Sequence, residues 1–249
     1  EKGYITGGKQ AYSGREFLAS IDERFRPVSL YDGPDGAMYV VDMYRGIIQH
    51  RTYLTDYLKK EIVKRALSKP LNCGRIYKVV PTEKTVKPVL MPHDPAELVS
   101  LLGYNNGWVR DKAQQMLVDG KYTSVAPALR KNLQESDDPV TITHSLWTLE
   151  GLGVLQYEDL APLLKHADWR VRAEALVAAS SVVNAGNYKQ LAAAMQQMIA
   201  GSDTLTAPYI AFQLHCISAF NQPIADELWM TVAGKYPDNR YIADALISN

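Results

Sequence analysis

The strongest constraint on the fold is a change of pattern at residue 93. From there to residue 249 strand signals vanish, and Ala- and Leu-rich helical segments alternate with short polar turns. Three of these helices share a register: Val109-Arg110 with Ala113, Thr141-Ile142 with Ser145, and Val171-Arg172 with Ala175, at offsets of 32 and 30 residues. A helix pair recurring near that period is the signature of an α-solenoid, because one pair cannot bury its apolar face without its neighbours. The small residue four places after the first marks a close helix–helix approach. The Arg after each Val points outward, placed to contact the preceding inter-repeat turn. Asn105, Asn106, Asp137, Asp138 and Asp168 precede these helices, and such side chains accept hydrogen bonds from unpaired first-turn amides. Asp94-Pro95 opens the first helix in the same way, with Pro in the first turn. The last two pairs fit this register poorly, as drifting or capping repeats do.

Residues 1–92 are rich in Gly, Tyr, Arg and β-branched residues. The runs "RPVSLY" and "AMYVVDMY" alternate in polarity and flank "DGPDG". Pro34 presets its φ, and Gly36 can take the positive φ that a tight strand connection requires. "RGIIQH" (45–50) and "GRIYKVV" (74–80) are further strand candidates. Between them, residues 53–67 place Leu54, Tyr57, Leu58, Ile62, Val63 and Leu67 at helical spacing, with Pro70 and Gly74 expected to end the helix. A few strands and one helix leave both sheet edges open. This part is therefore expected to complete a larger β-rich domain whose other strands lie upstream. The expected class is mainly α: a solenoid over 93–249 behind a small β-rich segment over 1–92.

Charge excludes little. Lys plus Arg and Asp plus Glu both number 27, so no basic excess argues for nucleic acid. No apolar run is long enough for a membrane span. The start, "EKGYITGGKQ", has no apolar signal core. It is expected to belong either to a cytosolic protein or to a fragment without its leader. Cys73 and Cys216 lie in no CxxC or CxxCH pattern, so this chain carries neither a covalent haem motif nor a zinc ribbon.

The stretch "REFLASIDERFRPVSLYDGPDGAMYVVDMYRGIIQHRTYLTDYLKK", continuing into "KPLNCGRIYKVVP", resembles the end of the β-propeller in glucose/sorbosone dehydrogenase-like, quinoprotein-type bacterial proteins. "GWVRDKAQQML" and "HSLWTLEGLG" resemble the HEAT repeats that follow it there. The resemblance covers residues 13–185. It implies an exported, periplasmic parent with upstream propeller blades as partners of this segment. It also implies pyrroloquinoline quinone, calcium and haem c as cofactors of that parent. Most blades and the haem motif are missing here, so no cofactor is expected in this chain alone. The HEAT-like stack would serve as a scaffold or offer a concave face to a protein partner. The rival expectation is a non-enzymatic protein- or carbohydrate-binding scaffold.

Site candidates are few. Asp42, Arg45 and His50 lie at or beyond a strand end, where an Arg could pair a carboxylate and a His could act as a base. Arg51 joins them as a cofactor-binding candidate. The alternative is a structural Asp42–Arg45 pair, with His50 capping the following helix. Asp32 and Asp35 could supply oxygens to calcium, or stabilise a turn. His93, His144, His166 and His215 have no metal-ligand spacing. Trp108, Trp147, Trp169 and Trp229 fit a repeat core better than a ligand cage.

Overall fold

The computed structural model describes residues 7–83, 87–201 and 203–248. The chain is mainly helical with a small three-stranded sheet near its start. It divides into two compact units, with the break between Leu90 and Met91.

In the smaller unit, β1 (Pro27–Asp32), β2 (Met38–Asp42) and β3 (Arg75–Val79) pair antiparallel in the order β1-β2-β3. The β1–β2 turn follows from "DGPDG". Gly36 sits at φ 72° and donates to the Gly33 carbonyl at 2.9 Å. Asp35 locks the turn from within. Its carboxylate is ion-paired with Lys78 on β3 and accepts from the Ala37 amide at 3.0 Å and the Tyr39 hydroxyl at 3.1 Å. Led by Lys78, these donors hold the Asp35 carboxyl down at about 2.

The stretch 45–50, expected as a strand, is irregular. The cause lies one residue earlier, at Tyr44, whose φ of 48° takes the chain out of the sheet. Its hydroxyl donates to Asp22 at 2.7 Å, and the Arg75 guanidinium stacks 3.6 Å from its ring centre. Gly46 then lies against the Leu67 backbone, where an added Cβ would come within 2.5 Å of the carbonyl oxygen. Helix α1 (Asp56–Lys64) is shorter than the expected 53–67. Thr55 caps its start by accepting from the Leu58 amide, and Ala66 at φ 51° ends the turn that follows. No α1 residue is buried.

In the larger unit, the helices are α2 (Pro95–Ser100), α3 (Gly107–Asp119), α4 (Ala126–Glu135), α5 (Pro139–Gly151), α6 (Tyr157–Leu160) and α7 (Trp169–Ala178). They continue with α8 (Tyr188–Ala200), α9 (Ala207–Phe212), α10 (His215–Ser218), α11 (Gln222–Lys235) and α12 (Arg240–Ile247). Every strand among the described residues precedes this unit. Alternate helices form rows. In one, α3 packs on α5, α5 on α7, α7 on α9 and α9 on α12; in the other, α2 packs on α4 and α8 on α11. One continuous core runs between them.

The repeat register has a local cause. Asn106, Asp138 and Asp168 each accept from the amide two residues on, at 2.9, 3.2 and 2.8 Å, and so fix where α3, α5 and α7 begin. With the start fixed, the positions three and seven residues on face the same way. Val109, Ala113, Ser145, Val171 and Ala175 are all buried, whereas Thr141 is only partly so. The buried Ser145 hydroxyl accepts from Asn132 at 3.0 Å, which satisfies it. Asn239 repeats the cap at α12, bonding the Tyr241 amide at 3.0 Å.

The arginines make the contact with the preceding turn that the register predicts, but Arg172, expected to point outward, is largely buried. Arg110 donates back to the Tyr104 carbonyl at 2.6 Å, and Arg172 donates back to the His166 carbonyl. Each also reaches forward. Arg110 meets the His144 ring on α5 at 3.3 Å, and Arg172 meets Asp203 before α9 at 2.8 Å. Burial works to raise the Asp203 carboxyl, but hydrogen bonds from Thr206 and Arg172 outweigh it and hold the group low. Two further bonds join successive pairs: Arg130 to Asp159 at 2.9 Å and Trp147 to Glu174 at 2.8 Å.

Two outcomes follow from this packing. Ala175 is fully buried, so Ala175→Leu should destabilise the chain by about 1–3 kcal/mol through overpacking. An unchanged denaturation midpoint would contradict the placement. His144 lies mostly buried, and burial, followed by the Arg110 charge, holds its pKa below 6.5 against Asp111 and Asp138. On acidification the unfolded chain takes up this proton first, so stability falls as pH drops through that value and levels off below the folded pKa. The pH profile of His144→Gln should be flatter between pH about 7 and about 5, where His but not most carboxylates titrates; an unaltered slope would contradict the assignment.

Candidate functional site

The sequence candidates separate into groups with different work. Asp42, the last residue of β2, is 1% exposed. One carboxylate oxygen accepts from the Arg26 and Tyr44 amides, both at 2.8 Å, and the other faces the Tyr77 hydroxyl at 3.4 Å. It therefore pins the end of β2 to the chain before β1 and to the turn at Tyr44. A carboxylate filled by backbone donors on a sheet is a structural element. The expected Asp42–Arg45 pair does not form among the described contacts.

His50 is exposed and caps the short 3₁₀ turn Arg51–Tyr53, its Nδ1 accepting from the Thr52 amide at 3.4 Å. This is the capping role of the alternative reading, displaced from α1 to the turn before it. Asp32 is exposed at the end of β1, and both oxygens of Asp35 are engaged within the turn. Among the described residues no group of three or more His, Cys, Asp or Glu is placed to hold a metal. Cys73 and Cys216 are both free thiols. Burial pushes the Cys216 thiol up to about 11, away from thiolate chemistry.

Arg45 and Arg51 do come together. They line a cleft of about 510 Å³ between the irregular stretch after β2 and α1, with Gln49, Lys59, Ile62 and Leu67 on its walls. Lys59 is bonded to Asp56 at 3.1 Å. Neither arginine side chain has a hydrogen-bond or ion-pair partner among the described residues. The sequence pattern located both arginines and the apolar stripe of α1. It could not locate the cleft, which depends on the departure of the chain at Tyr44.

A second cleft, of about 440 Å³, lies in the larger unit between α10 and α11. It is bordered by His215, Asp226, Trp229 and Met230. Trp229 and Met230 are 39% and 66% exposed there. Asp226 accepts from Gln222 at 2.8 Å, and His215 Nδ1 meets the Phe212 carbonyl at 2.9 Å.

If Asp42 is structural, Asp42→Ala should strand two backbone donors and destabilise the smaller unit by about 1–3 kcal/mol. Hydrogen exchange at the Arg26 and Tyr44 amides should accelerate. Unchanged protection at both would contradict the role assigned to this carboxylate.

Residues 1–83 match a family described as a domain of unknown function, DUF7133, and the match stops short of the helical unit. No curated protein matches the chain. No helix among the described residues is long and apolar enough to cross a membrane.

Proposed function

We propose that the helical unit is an α-solenoid of HEAT-like pairs acting as a scaffold or docking surface. In this reading the smaller unit supplies the last strands of a β-propeller in an exported, glucose/sorbosone dehydrogenase-like quinoprotein. The observation that carries the first part is the capped helix start with a small buried residue seven places on, which recurs at α3, α5 and α7, with a bridging arginine at α3 and α7. Its recurrence supports a stack in which each pair is held by its neighbours. The open sheet edges support the second part. Leu30 and Tyr31 on β1 and Ile76 on β3 are 64%, 61% and 69% exposed, and neither edge strand has a further partner among the described residues. Upstream blades are the partners the resemblance implies.

Catalysis is assigned to no residue of this chain, because Asp42 and His50 serve the backbone. A second reading, a protein- or carbohydrate-binding module without turnover, is favoured by one observation. Trp229 and Met230 stand exposed beside Asp226 in a cleft, and such side chains recur at binding surfaces.

Hydrogen exchange on the full chain tests the stack. Leu117, fully buried in α3, costs about 2–5 kcal/mol when cut to Ala. Exchange should then accelerate most in α3 and its neighbours α2 and α5 and fade toward α12. Uniform acceleration across the helical unit would overturn the solenoid. A dye-reduction assay over common sugars, with pyrroloquinoline quinone and calcium added, should show no turnover; sugar-dependent reduction would place a working site in this chain.

A further inference from the structure

The neutral total charge conceals an uneven distribution. Residues 1–90 hold 16 Lys and Arg against 10 Asp and Glu, whereas residues 91–249 hold 11 against 17. Within the smaller unit most of the excess falls in the stretch that includes the cleft, where Arg45, Arg51 and Lys59 are the basic residues of the lining. Residues 43–70, which build it, contain seven Lys and Arg and only two acids, Asp56 and Glu61. Both acids are already engaged, Asp56 with Lys59 at 3.1 Å and Glu61 with Arg65 at 2.9 Å. Arg45 and Arg51 are left lining the same cleft with no carboxylate partner among the described residues. Like charges gathered in one cleft repel within the screening length of about 8–10 Å, and a bound anion would relieve that repulsion.

The arginines are also held in place. Arg45 follows Tyr44, which is fixed at positive φ by Asp22 and Arg75, and precedes Gly46, which is seated on Leu67. Arg51 opens the 3₁₀ turn that His50 caps. The rest of the wall is apolar: Ile47, Leu54, Ile62 and Leu67 face the same space. Guanidinium forks match the geometry of carboxylate and phosphate oxygens. A cleft of this volume lined by apolar groups and a few convergent charges has the character of a small-molecule site.

We propose that this cleft binds a small organic anion, Arg45 and Arg51 holding its carboxylate or phosphate and the apolar wall covering its body. The proposal stands apart from the solenoid reading, since every residue in it belongs to the smaller unit.

Amide NMR of the full chain, titrated with phenyl phosphate, benzoate and neutral benzyl alcohol, tests it. At least one of the two anions should shift the Gly46, Leu54 and Leu67 amides saturably, and added salt should weaken its binding. Comparing phenyl phosphate with benzoate decides which headgroup the site prefers. Arg45→Gln and Arg51→Gln should each weaken that binding by about tenfold or more, a difference of one decade in Kd. Neither side chain has a hydrogen-bond or ion-pair partner among the described residues, so the amide spectrum elsewhere should be preserved in both variants. Three results would each overturn the proposal: no saturable shift with either anion, equal affinity for benzyl alcohol, or unchanged affinity in both variants.

Discussion

The helical unit is ordered by side chains that cap helix starts, joined at α3 and α7 by an arginine four residues after the cap. The cap decides which residues of α3, α5 and α7 face the core, because it fixes the first helical turn. The arginine then ties that turn to its surroundings on both sides. Arg110 bonds Tyr104 behind it and His144 ahead, and Arg172 bonds His166 behind and Asp203 ahead. In the middle pair the equivalent position is Ile142, which is fully buried. There an apolar contact replaces the bridge. The small residues at Ala113, Ser145 and Ala175 allow the close approach that such short bridges require.

The smaller unit is organised around carboxylates. Asp35 closes the β1–β2 turn and reaches β3 through Lys78, while Asp42 stops β2 and starts the departure at Tyr44. With α1 burying none of its residues, this unit has few apolar contacts for its size, and such polar pins carry a large part of its definition. In the stretch that builds the cleft, Asp56 and Glu61 are bonded to Lys59 and Arg65, and Arg45 and Arg51 have no carboxylate partner among the described residues.

Much of this could be read from the chain, for local reasons. The "DGPDG" turn, the strands on either side of it, β3, and the caps at Asn106, Asp138 and Asp168 each depend on a few adjacent residues. What could not be read depends on contacts distant in sequence. "RGIIQH" alternates like a strand, yet Tyr44 at φ 48°, held by Asp22 and Arg75, has already turned the chain aside. The α1 stripe predicted a longer helix, and Ala66 at positive φ cuts it short. The bonds from Arg130 to Asp159 and from Trp147 to Glu174 link helices 29 and 27 residues apart and leave no mark in the spacing of either residue. His50 and Arg51 stood out as polar groups beyond a strand. Only the packed structure separates the capping role of one from the cleft position of the other.

If the helices are coupled through these bridges, a double-mutant cycle on Arg172 and Asp203 will detect it. Both side chains are largely buried, at 17% and 16% exposure, and the bridge joins α7 to the turn before α9. Stabilities of the wild type, Arg172→Met, Asp203→Asn and the double variant would give the coupling energy. The coupling should be favourable and above about 0.5 kcal/mol, the range of groups in direct contact. Additive effects, with a coupling indistinguishable from zero, would contradict it.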